Sequence, residues 1–239
     1  MENEKVTPSP RRKFLGTIAA GAAALGLLSF KTPFDLQKAA LTIKDNAATD
    51  PKDPMAADAW FKNVKGTHRI VYDVPHPNEI MPFAWSRVFL LTNAATGSKE
   101  SDCGVVVVLR HSAIGYAMKS SLWEKYNFGE VFKADDPKTK KPSTRNPFAE
   151  PQKGDFVLPG VGEVQIGINQ LQASGVMFCV CDAALTVYSA ALAKGMNLDE
   201  KALKKEWTDG LLPGIQVVPS GVWAVGRAQE HKCAYCFAG

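Results

Sequence analysis

Four consecutive valines, Val105 to Val108, stand inside the run Cys103-Gly104-Val105-Val106-Val107-Val108-Leu109. A strand with one wet face alternates apolar and polar side chains. A strand apolar on both faces has to lie between two layers. β-branched side chains also favour the extended backbone over the helix. Doubly covered strands of this kind belong to parallel sheets, whose crossover connections place helices on both faces.

The flanking segments supply the other parts of such a sheet. His68-Arg69-Ile70-Val71-Tyr72-Asp73-Val74 reads as a first strand, ended by Pro75-His76-Pro77. Asn78 is placed to cap a helix whose Ile80, Ala84, Val88 and Leu91 share one face. A short helix follows over 122–131. Val164, Ile168 and Leu171 mark another, ended by Ser174-Gly175, where glycine suits a left-handed terminator. Val176 to Cys181 is the third strand. Ala184, Tyr188 and Ala191-Leu192 then form a helix closed by Gly195, and 199–207 a further one. Ile215 to Val218 is the fourth strand, turned by Pro219-Ser220. Val222, Val225 and Ala228-Gln229 make the last helix, and Cys233 to Phe237 the fifth strand. This alternation predicts a three-layer α/β/α sandwich around a mainly parallel sheet of about five strands.

Ahead of this domain the composition changes. Ser9-Pro10-Arg11-Arg12-Lys13-Phe14-Leu15-Gly16 leads into an uncharged stretch from Thr17 to Phe30. A basic start, paired arginines and an Ala/Gly/Leu-rich run resemble a twin-arginine export signal. The apolar run is short for a membrane span, which needs about 20 residues. Ala22-Ala23-Ala24 falls early for cleavage and Lys38-Ala39-Ala40 falls late, so the segment is expected either to be removed or to stay as a membrane tether. The organisation expected is 1–31 as signal or tether, 32–66 as an irregular linker or arm, and 67–239 as the folded domain. Within that domain 133–160 is a proline-rich insertion, read as a lid, a solvated loop or a subunit contact. The implied location is periplasmic or otherwise extracytoplasmic, with the twin-arginine export machinery as a partner.

Charge narrows the partners. The chain carries 28 Lys and Arg against 24 Asp and Glu. Most of the excess lies before residue 32, in Lys5, Arg11, Arg12, Lys13 and Lys31. The near-neutral body has no general field for nucleic acid, and no nucleic-acid motif accompanies it.

The last third resembles the DsrE/DsrF-like family of sulfur-relay proteins. The resemblance is carried by Gly175-Val176-Met177-Phe178-Cys179-Val180-Cys181-Asp182-Ala183-Ala184-Leu185, by Val217-Val218-Pro219-Ser220-Gly221-Val222, and by Arg227-Ala228-Gln229 and Ala234-Tyr235. It covers about 65 residues closely. It implies an α/β/α domain that assembles into homo-oligomers. It also implies a cysteine after the third strand that takes up sulfur as a persulfide, from a donor or redox partner protein. Cys181 matches that position.

Cys181 is therefore the leading candidate for catalysis. A thiol where a strand gives way to a helix faces free amides that favour its thiolate, while Asp182 opposes that charge and burial would make it a packing residue. Cys179, two residues earlier, should share its face of the strand. Cys233 and Cys236 form a lone Cys-x-x-Cys, open to three readings: a redox or structural bridge, two separate thiols on opposite sides of a strand, or, with His231, a soft-metal site for zinc or copper(I). His111, just past the valine strand, is the candidate acid/base or substrate contact, with Tyr116 nearby. His68 and His76 read as structural. Gly160-Val161-Gly162 lacks the rest of a nucleotide fingerprint. With no Ser/His/Asp order, phosphate-cradling loop or paired carboxylates in the sequence, no cofactor is expected.

Overall fold

Alternate valines of one strand feed two separate cores. The computed structural model describes residues 54–239. Val105, Val107 and Leu109 belong to one buried cluster, Val106 and Val108 to the other. The strand they form, β2 (Cys103–Leu109), is the middle of a five-stranded sheet. Its neighbours are β1 (His68–Val74) and β5 (Met177–Cys181), flanked at the edges by β7 (Ala234–Phe237) and β6 (Ile215–Val218). The order is β6-β5-β2-β1-β7, and every pairing is parallel. A two-stranded hairpin, β3 (Val157–Leu158) with β4 (Gly162–Glu163), stands apart. The sandwich architecture expected from the sequence is the one found.

The larger core lies under α2 (Met81–Ala95), the 3-10 turn His111–Ala117, α3 (Ser120–Tyr126), α4 (Phe128–Phe132), α5 (Ile168–Ala173), α6 (Asp182–Met196) and α7 (Glu200–Asp209). The opposite face is covered by α1 (Pro54–Trp60) and α8 (Gly221–Glu230). Among the described residues no helix is long and apolar enough to cross a membrane.

Several boundaries differ from expectation. Part of the segment read as an irregular arm is ordered: α1 and the 3-10 turn Phe61–Asn63 bury Ala57, Phe61 and Val64 against the sheet. Its Ala-Asp-Pro composition hid those few anchors. In α2 the buried side chains are Pro82, Phe83, Ala84, Ser86 and Leu90, whereas Val88 and Leu91 are exposed. The helix begins one residue after Ile80, and its large aromatic, Phe83, sets which face turns inward. The 122–131 helix is two helices, broken where Asn127 adopts a left-handed conformation. Gly195 lies inside α6, and Asn197 terminates it at φ 55°. Gly175 does end α5 with a positive φ of 84°.

The insertion 133–160 is also more than a solvated loop. Phe148 and Phe156 are buried, and Phe148 stacks on Phe83 with ring centroids 3.9 Å apart. Asn146 is wholly buried. Its Nδ2 donates to the carbonyls of Tyr116 and Met118, both at 2.8 Å, and its Oδ1 accepts from the Phe148 amide at 3.0 Å. Five prolines limit regular structure, so the segment packs through individual side chains instead. The proposed signal at 1–31 and the rest of the arm lie outside the described residues.

Candidate functional site

Parallel strands deliver their carboxyl ends to one rim, and the chemistry-bearing side chains collect there. Cys181 ends β5 and caps α6: its Sγ accepts the Ala184 amide at 3.3 Å. The amide of Gly221, at the start of α8, also acts on this sulfur, and that of Ala183 does so weakly, being donated to the Pro219 carbonyl at 3.2 Å. Two helix amino termini thus converge on one thiol. Burial pushes the Cys181 pKa up, the Ala184 and Gly221 amides pull it back, Asp182 raises it, and Ala183 lowers it. Asp182 is itself held by Lys204 Nζ at 3.0 Å, which tempers its field at the sulfur. Cys181 is only 6% exposed.

Cys179 behaves differently. It is fully buried, and burial drives its pKa strongly upward with no amide to offset it. It belongs to the α8-side cluster, while Cys181 joins the other one. Cys181 keeps an extended backbone at the end of β5, in register with Val218, and its charge reaches Cys179, while its sulfur caps α6.

His111 lies on the same rim but does not act on Cys181 directly; among the described residues no hydrogen bond joins the two. Its backbone is left-handed, at φ 49°. Its ring meets His76 edge-on at 5.0 Å and Tyr188 at 5.5 Å. Partial burial, then His76 and Arg110, hold its pKa below the ordinary imidazole value. His76, read as structural, bonds Ser112 Oγ through Nδ1 at 3.1 Å and belongs to this group. Tyr116 is buried against Trp123 and Phe148, away from any proton-transfer role. His68 bonds Ser98 at the opposite end of the sheet.

The residues that sequence reasoning missed join these two groups. Arg110, immediately after β2, donates from Nε to Asp73 Oδ1 at 2.6 Å and from Nη2 to Asp73 Oδ2 at 2.9 Å. Tyr235 of β7 donates to the same Oδ2 at 2.9 Å. The Arg110 stem lies against Gly221, where a Cβ would come within 2.4 Å of the Arg110 Cβ. The Arg110 charge reaches both Cys181 and His111. The Asp73 pairing, ahead of the other contributions, raises its own pKa. A signal was present: Asp73 is an acid set between apolar residues near the end of β1, and Arg110 follows the neighbouring strand in parallel register.

The Cys-x-x-Cys tail divides across the sheet. Cys233 packs in the α8-side cluster and Cys236 against the other. All five cysteines are free thiols. Among the described residues no group of three or more His, Cys, Asp or Glu converges to hold a metal, so the soft-metal reading of the tail has no assembled donor set. Two surface grooves lie away from Cys181, one beside Cys103 and Met177, the other beside Ser120 and Arg145.

No family model and no curated protein matches the chain. A solved structure, that of the protein of unknown function MTH1491 from Methanobacterium thermoautotrophicum, aligns with 71% of this chain and 98% of its own. The two are 18% identical, with a TM-score of 0.37.

Proposed function

We propose that the chain is an exported sulfur or thiol-redox carrier in which Cys181 holds the transferred sulfur. The observation that carries this reading is the pair of amides from Ala184 and Gly221, each at the start of a different helix, around one sulfur. A neutral packing thiol has no use for donors from two helix amino termini, whereas an anionic sulfur does. The resemblance to DsrE-like proteins at Gly175–Leu185 and Val217–Val222 points the same way. The Cys181 thiolate attacks the outer sulfur of a donor R–S–SH. A new S–S bond forms at Cys181, the donor's S–S bond breaks, and its electron pair leaves with R–S⁻. The thiol proton passes to solvent beforehand. An acceptor thiolate then takes the outer sulfur and restores Cys181. Because burial outweighs the amides at rest, the thiolate is favoured only as a donor reaches the rim.

Peptide mass spectrometry after incubation with a small persulfide tests this. Cys181 should gain the mass of one sulfur atom, and Cys181→Ser should abolish that gain while Cys179→Ser keeps it. No adduct on Cys181 in folded protein would sink the proposal.

The low exposure of Cys181 favours a second reading, a non-catalytic, homo-oligomeric assembly module with structural cysteines. The edge strand β7, with Tyr235 and Phe237 half exposed, would be its contact surface. An unreactive Cys181 together with a concentration-dependent sedimentation coefficient would favour it.

A further inference from the structure

Arg110 has one feature that neither the fold nor sulfur uptake at Cys181 demands. It is a cation whose fork is turned sideways. Nε and Nη2 are spent on Asp73, and among the described residues Nη1 makes no hydrogen bond. The side chain remains 26% exposed, and Nη1 is not among the buried polar atoms that lack a partner. Tyr235 holds the far side of the Asp73 carboxylate, which fixes the guanidinium in one orientation. The stem runs over Gly221, the residue whose amide faces Cys181. The stem of a clamped guanidinium is therefore built into the wall of the thiol site, and its charge reaches Cys181. A residue serving only to tie β1 to β2 would not need to lie against the first residue of α8.

We propose that Arg110 is the specificity-determining residue of the Cys181 site, selecting sulfur donors that carry a negative charge beside the transferable sulfur. The class is a small anion with a terminal sulfane sulfur, such as a thiosulfonate. With R–SO2–S⁻ as donor, the Cys181 thiolate attacks the terminal sulfur. The new bond makes Cys181–S–S⁻, the S–SO2R bond breaks, and its electron pair leaves as the sulfinate R–SO2⁻. No external oxidant or reductant is needed. Arg110 Nη1 would hold the oxygen-bearing end, while the amides of Ala184 and Gly221 receive the sulfur. A neutral disulfide offers nothing to either group of donors.

This inference rests on the proposal for Cys181, yet it is tested without sulfur transfer. Iodoacetate and iodoacetamide alkylate thiolates alike but differ by one charge. The ratio of their rates at Cys181, read by peptide mass spectrometry on the full-length protein, reports charge selection. Arg110→Met should lower the iodoacetate-to-iodoacetamide ratio about fivefold at low salt, a magnitude set by one charge near a protein surface. Arg110→Lys should keep most of the ratio, and Asp73→Asn should raise it. In the wild-type protein the ratio should fall as salt is added, because screening acts on an exposed cation. Across the Arg110 and Asp73 variants at fixed salt, the ratio at Cys103, at the other end of the sheet beside Asp102 and Glu100, should not move.

A wild-type ratio that is flat with salt overturns the proposal even if the variants fail to fold. So does an unchanged ratio in folded Arg110→Met, or a Cys181 that reacts with neither reagent. Charge selection without sulfur uptake in the persulfide experiment would remove the carrier function and leave anion recognition standing.

Discussion

Gly221 is the residue on which the geometry of the rim turns. It starts α8, offers its amide to Cys181, and leaves room for the Arg110 stem. Its φ is not positive, so no backbone demand for glycine exists there; the demand is steric. A Cβ would stand 2.4 Å from the Arg110 Cβ and 2.6 Å from its Cδ. The nearer atom is fixed to the backbone of β2's end and cannot swing aside. Gly221→Ala should therefore push α8 and β2 apart, costing about 1–3 kcal/mol as other overpacked sites do. Urea unfolding would measure that loss. The same change should slow alkylation of Cys181, since the displaced amide no longer favours its thiolate; unchanged stability would show that the helix end gives way freely. Gly221 was legible in the sequence only as part of Pro219-Ser220-Gly221. That Ser220 caps the helix through Trp223 N at 3.2 Å could be guessed from residue type. That Arg110 fills the space beside it could not, because the two are separated by more than a hundred positions and no periodicity links them.

Elements with strong periodicity were readable, and those without it were not. The strands announced themselves: β1, β2, β5 and β6 match their apolar runs closely, and in β2 and β5 burial on both faces forces the composition. The insertion 133–160 shows the opposite case. Its lysines and prolines suggested solvent, while Phe148, Phe156 and Asn146 anchor it by tertiary contacts that leave no repeating pattern. Asn146 is the firmest of these anchors. It bridges the carbonyls of Tyr116 and Met118 to the Phe148 amide, and its own backbone amide bonds Ser120 Oγ at 3.2 Å. Asn146→Ala would strand two buried carbonyls and one amide. The expected cost is about 2–4 kcal/mol, since each buried polar group left without a partner costs about 1–3 kcal/mol and water can rescue part of it. Urea unfolding should show a lower midpoint with an unchanged slope, meaning that the whole domain and not a detachable loop is destabilised. A lower slope, or protease cleavage confined to 133–160 at unchanged global stability, would instead make the insertion a separate unit.

At the scale of the molecule, the sheet is a partition that decides which thiols can meet. An exported protein would work where thiols tend to oxidise, so five cysteines in the chain would ordinarily suggest at least one bridge. The sheet opposes this. Cys233 and Cys236 flank β7 from opposite sides. Cys179 and Cys181 lie two residues apart on β5, where extended spacing puts their Cα atoms about 6.6 Å apart, at the upper edge of bridging reach. Cys103 sits at the amino-terminal end of β2, a full strand length from the rim that holds Cys181. A bridge also needs Cβ atoms about 3.5–4.5 Å apart, which a partitioned pair can reach only by unfolding a strand. The native protein should therefore keep all five thiols after air exposure. Intact mass after alkylation in denaturant, with and without prior reduction, should be identical, and added reductant should leave the melting temperature unchanged. A mass lower by one pair of alkyl groups without reduction would reveal a bridge, and peptide mapping would say which strand had yielded. The sheet would then fail as a partition, and its most solvent-accessible thiols, Cys103 and Cys236, would be the first to examine. If the thiols persist, the arrangement separates one amide-lined sulfur at the functional rim from four that pack or cap. That separation is what a carrier needs if a sulfur loaded on Cys181 is to leave by an incoming acceptor and not through a neighbouring cysteine of the same chain.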